Sequence, residues 1–310
     1  MLLSPDQLLR SLRHGTLFLL VARFTGKALL LVFLLVLASR LGPRAFLDLE
    51  VISSLINFLI WLFLAATFSI ARIGSAFPAG ELDLRLKGLL QRTQIPALLT
   101  GALISAAIIA AGFFLDQARA SHATEIQLIV ALFALVQFLY SYLLGFHQAR
   151  ESYRLVGVCY LAPGIIALVA AVLFLFLELG LRAALLVYLA GAIAQLLLAY
   201  VGLKRSLIRL PALPFIGIPR RIGPGLVRIS LGLTLFFVIY SMDIFSAKFL
   251  LDPALGEAYA RLEFLGRILF TTVATVGFAF FVRIVRAYDD HGSHVPDMRF
   301  WPVLAILVVI

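Results

Sequence analysis

The chain has 310 residues, of which 63% are hydrophobic and only 14% charged. Soluble domains are about half apolar and about one quarter charged, so this balance and a mean hydropathy of +1.06 argue against a soluble protein. The net charge of +10 would suit a nucleic-acid binder only if the basic residues shared a face with stacking aromatics, whereas here they gather on one side of the predicted membrane spans.

Arg10 and Arg13 resemble the basic start of a signal peptide. The apolar run behind them carries Arg23 and Lys27 and outlasts a signal core, so the first segment is expected to remain as an anchor. A crossing helix needs about 20 apolar residues. Stretches of that kind fall at 16–39, 49–71, 94–115, 126–146, 155–177, 181–203, 226–251 and 262–288. The last segment, Phe300–Ile310, reads as a partial ninth span, and the sequence is expected to be a fragment or the product of a truncated gene.

With the N-terminus in the cytoplasm, the inner side collects Arg72, Arg85, Lys87, Arg92, Arg150, Arg154, Lys204 and Arg205, among others. The outer side keeps only Arg40, Arg44, Arg119, Arg182 and Arg261. That asymmetry fixes the expected orientation and accounts for most of the net charge.

The proline-dense, basic stretch Leu203–Gly225 reads as a semi-rigid linker. The expected organisation is therefore a first six-helix lobe (1–203), a cytoplasmic linker (204–225) and the start of a second lobe (226–310). The fold class is an all-α membrane bundle of two pseudo-symmetric lobes, the second incomplete. A weak echo between "SRLGPRAFLDL" and "KFLLDPALGEAY" fits such a repeat. Within the spans, Ala102, Ala106 and Ala110, and likewise Ala190 and Ala194, form small-residue rows of the kind that let helices approach. Pro163-Gly164 predicts a kink in the fifth span.

Ionisable residues inside spans are the main functional signal. Arg228 and Lys248 lie near span ends and can snorkel. Arg23 and Lys27 share one helix face, about 6 Å apart. They either snorkel to the inner headgroups or form a cationic stripe lining a cavity. Asp243 lies about 12 Å below the outer end of its span, too deep for a short carboxylate to reach water. It is expected to face the cleft between lobes, either paired with a cation from another helix or serving a substrate or coupling ion. Arg267, about one and a half turns into the eighth span, is either a cavity cation or an outer-surface snorkeler.

Enzyme signatures are missing. Gly26-Lys27 lacks the rest of a Walker A loop, and no G-x-S-x-G, H-E-x-x-H or C-x-x-C occurs. The loop "DDHGSHVPD" (Asp289–Asp297) gathers acids and histidines without a ligand spacing and reads as a solvated loop. Cys159 is the sole cysteine, so no intramolecular disulfide can form. No catalytic residue, metal or cofactor is expected.

Three junctions resemble those of bacterial polysaccharide-type lipid-linked oligosaccharide flippases, in the multidrug/oligosaccharidyl-lipid/polysaccharide exporter superfamily. "ASRLGPRAF" resembles that family's junction after helix one, with Ser39 in the place of its Arg and Arg40 one position later. "GFHQARESYR" (Gly145–Arg154) resembles its junction between helices four and five, and "MDIFSAKFLLDPALGEAY" its seventh helix and following loop. Gly256 comes one residue earlier than the family spacing, and Leu47 and Leu49 replace its first-lobe Gly and Tyr. The resemblance implies two lobes that tilt around a central cavity. It implies a polyprenyl-pyrophosphate-linked oligosaccharide as substrate, flipped across the bacterial cytoplasmic membrane, with a polymerase and glycosyltransferases as possible partners. Arg23 and Lys27, supported by Arg267, would then meet the pyrophosphate, and Asp243 would tune the field or couple an ion gradient. A cation-coupled drug exporter of the same superfamily would favour acidic and aromatic cavity residues. A membrane-embedded polymerase or glycosyltransferase would need a large outer loop or a catalytic acid pair.

Overall fold

A computed structural model describes residues 5–116, 123–177 and 179–207, with isolated positions between 235 and 266. The described chain is helical. Its elements are α1 (Pro5–Arg40), α2 (Pro43–Ser75), a short 3-10 turn (Ala79–Glu81), α3 (Leu82–Asp116), α4 (Ala123–Ala149), α5 (Tyr153–Phe176) and α6 (Leu181–Leu207). All six long helices have an apolar stretch of at least 23 residues, enough to cross a membrane. Large side chains such as Phe24, Leu35, Leu103, Val169 and Leu197 are exposed along them. In water such a surface would be an aggregation hazard, but against lipid it is the expected exterior.

The six stretches agree with the first six predicted spans, and the differences lie at the ends. Span three was expected from residue 94, whereas α3 begins at Leu82 and carries Arg85, Lys87 and Arg92 on its first turns. Helix α6 runs to Leu207, so Lys204 and Arg205 stand on its last turn and not in the linker. In both places the helix continues through charged residues that a hydropathy boundary excludes. The rest of the linker, the seventh and eighth spans, the terminal segment Phe300–Ile310 and the loop Asp289–Asp297 lie outside the described residues.

Helix α4 is central and touches α2, α3 and α6, while α1 lies along α5 and α5 against α6. Consecutive helices α1 and α2 scarcely touch. The α1–α5 seam is tight because Gly26 and Gly164 face each other. A Cβ on Gly26 would come 2.5 Å from the Tyr160 carbonyl oxygen, and one on Gly164 would strike the Gly26 backbone. Helix α5 continues unbroken through Pro163, whose ring packs on Gly191 of α6. Packing from both sides holds the proline inside a helix it would otherwise weaken.

The alanine rows behave differently from expectation. Ala102, Ala106, Ala110 and Ala190 are exposed. Helix α3 instead meets α4 through Gly101, which abuts Leu135 and Phe138, and through a hydrogen bond from Ser105 Oγ to the Ala131 carbonyl (2.8 Å). Spacing identified small residues correctly but not the face that packs.

The two junctions described in full are structurally fastened. Between α1 and α2, Pro43 takes the first helical position, Phe46 is buried, and Arg40 Nη2 donates to the Leu175 carbonyl at 2.6 Å. Between α4 and α5, Arg150 grips Asp83 of α3 with Nε to Oδ1 at 2.7 Å and Nη2 to Oδ2 at 3.2 Å. Glu151 turns the chain at φ +54°, a left-handed conformation uncommon for non-glycine residues.

Candidate functional site

Each of five helices carries a row of polar or small residues at three- to four-residue spacing, which is one helix face. On α1 the row is Arg23, Gly26, Lys27 and Leu30. Helix α2 adds Ser53 and Asn57, and α4 adds Gln137, Tyr140 and Ser141. From α5 come Tyr160 and Gly164, and from α6 Tyr188, Ala192 and Gln195. These rows converge on one cavity of about 150 Å³, between the α1–α5 pair and the α2–α4 pair. The separation of α1 from α2 leaves room for it.

Aromatic rings pack around Tyr188, one of the lining residues. Phe33 meets Phe174 edge-on at 5.6 Å between centroids and Tyr188 at 6.5 Å. Tyr188 Oη in turn accepts a hydrogen bond from Ser53 Oγ at 3.2 Å. Leu19, Leu144, Tyr153, Val156 and Ala199 belong to a buried cluster that also includes Tyr140.

Arg23 is the most telling residue. Only 8% of it is exposed, and its Cζ lies 4.3 Å above the centre of the Tyr160 ring. Its side chain is packed within the bundle, over an aromatic face. Lys27 is half-buried one turn further along the same wall. No Asp or Glu is among the described residues lining the cavity; Arg23 and Lys27 are its charged lining residues, set with neutral polar groups in a mostly apolar wall. Cations held in this way can bind an anion, because a low-dielectric setting strengthens each charge-assisted hydrogen bond.

Of the predicted site residues, the structure therefore brings Arg23 and Lys27 together. Asp243 and Arg267, together with Lys248 and Arg228, lie outside the described residues. No cluster able to hold a metal occurs among the described residues. Cys159 is buried and free.

Sequence reading missed several residues. The neutral polar wall (Ser53, Asn57, Gln137, Ser141, Gln195) was legible as polar rows within apolar helices. Glu50, which the sequence reading did not single out, is fully buried. Because α2 starts at Pro43, Glu50 lies about two turns inside the helix. His147 is buried too, with Nε2 2.9 Å from the Ala199 carbonyl. Together with Gly145, which abuts the Thr67 carbonyl, it makes the "GFHQARESYR" segment a packing junction between α2, α4 and α6.

No protein-family model, curated protein or solved structure matches the chain.

Proposed function

We propose that this chain is a transporter that flips a polyprenyl-pyrophosphate-linked oligosaccharide across a bacterial cytoplasmic membrane. The observation that carries the reading is the convergence of Arg23 and Lys27 on one cavity inside an apolar helix bundle. A pyrophosphate must shed water to enter such a bundle, and inward-facing cations offset that cost. At about 150 Å³ the cavity is smaller than the roughly 300–1,000 Å³ of drug-sized pockets. It suits the charged head of a lipid-linked substrate and not the whole molecule. The described helices would form the first of two lobes, with α1 and α2 bordering the cleft toward the second and the N-terminus in the cytoplasm. Alternating tilt of the lobes would expose the head to each leaflet in turn.

The resemblance in the junction motifs supports the same substrate class. A cation-coupled drug exporter would place carboxylates in the cavity wall, and the described wall has none. The test is translocation of a fluorescent polyprenyl-pyrophosphate oligosaccharide in proteoliposomes containing the chain, read by loss of protection from an external quencher. Translocation that falls in Arg23→Gln and Lys27→Gln supports the reading. Full translocation by both variants, or none by the parent chain, overturns it.

A further inference from the structure

Two buried polar groups in the cavity wall have no hydrogen-bond partner among the described residues: Arg23 Nε and Tyr140 Oη. Arg23 is 8% exposed and Tyr140 2%, and both line the cavity. A buried donor without an acceptor costs about 1–3 kcal/mol, and more when charged. Helix α1 contributes Arg23 and helix α4 contributes Tyr140, so the two orphan donors line the same cavity from different helices. A single ligand with acceptor atoms on adjacent sides could satisfy both.

Tyr160 determines where Arg23 points. An arginine this near the end of a span could extend along the membrane normal toward headgroups. The negative face of the Tyr160 ring, beneath the guanidinium, holds it inward. The Tyr160 backbone lies close against Gly26 in the α1–α5 seam, which sets where its side chain starts relative to α1.

We infer that Tyr160 is a positioning residue for Arg23, and that Tyr140 is the second hydrogen-bond donor to a phosphoric-anhydride oxyanion bound in this cavity. The inference rests on reading the cavity as an anion site. A planar guanidinium edge and a phenolic O–H approaching from different helices match the several acceptor oxygens of a diphosphate. Tyr160 contributes only its ring face, and its hydroxyl is dispensable.

The test is calorimetric titration of the purified full chain with inorganic pyrophosphate and, separately, with farnesyl pyrophosphate. Tyr140→Phe weakens binding about tenfold, the value of one hydrogen bond to a charged group. Tyr160→Leu weakens it by a similar factor, while Tyr160→Phe keeps the affinity of the parent because the ring face survives. Added to Arg23→Gln, Tyr160→Leu causes no further loss, as expected of a residue acting through another. Tighter binding of the farnesyl compound assigns a lipid-linked ligand and equal binding a free anion; either supports the site. Tyr140→Phe removes one oxygen and preserves packing, so it remains informative even if Tyr160→Leu does not fold. Failure of the parent chain to bind either compound overturns the inference. So does unchanged affinity in Tyr140→Phe, a loss in Tyr160→Phe equal to that in Tyr160→Leu, or additive losses with Arg23→Gln. Binding without translocation in proteoliposomes would leave the anion site standing and remove the transport reading alone.

Discussion

Arg23 and Arg150 show two ways for a membrane bundle to hold an arginine. Arg150 sits at the α4–α5 junction, where a bidentate pair with Asp83 ties α4 to α3. Its charge is answered by a carboxylate, and its surroundings are partly open. Arg23 sits inside the bundle, over an aromatic face, in a wall where no carboxylate occurs among the described residues. The first arrangement is what fastening requires. The second keeps a cation buried at a cost in stability, as the proposed anion site would require.

The sharpest way to break this contrast is Arg23→Gln. Translocation should fall about tenfold or more, the scale of a lost charge-assisted contact. The melting temperature in detergent should stay level or rise, because removing a buried cation that has no carboxylate partner among the described residues relieves a penalty. A melting loss matching the transport loss would make Arg23 a second Arg150. Next in size is Gly26→Leu, which pushes a side chain into the Tyr160 backbone. Overpacking of this kind costs about 1–3 kcal/mol. It should also displace the Tyr160 ring, so thermal stability and pyrophosphate affinity should fall together.

Arg150→Gln should show the reverse of Arg23→Gln. The Asp83 side chain is 39% exposed, so solvent screening limits the loss to about 1 kcal/mol. Translocation per folded molecule should be unchanged. A double-mutant cycle with Asp83→Asn would isolate the pair, and a coupling near zero would show that the junction is held by packing alone. Smallest of all is Ala106→Leu, on the exposed side of α3. A change within about 0.5 kcal/mol is expected there. A larger loss would show that the alanine row meets a neighbour, and that α3 is more than a peripheral helix.

Much of the described bundle was legible from sequence because crossing a membrane is a length and hydropathy condition on each helix separately. Boundaries failed where the helix continued through charged residues, as in Leu82–Arg92 and Lys204–Leu207. Arg23 and Lys27 stood out because a cation in an apolar run is expensive wherever it points. The neutral half of the wall was harder to single out, since Ser53, Asn57 and Gln137 can also satisfy themselves within or between helices. Asn57 Nδ2, for example, donates to the Ser53 carbonyl at 2.9 Å.

The sequence by itself determined that this is an all-helical chain with membrane-crossing segments, and that its first span carries two cations on one face. It left open whether that face met lipid headgroups or the bundle interior. A helical sequence fixes the angle between its own residues, but not the rotation of one helix against the next. Here that rotation is set by the contact of Gly26 with Gly164 and of Pro163 with Gly191. Those contacts turn Arg23 over Tyr160 and bring five polar rows to one cavity, a result that only the packed structure could decide.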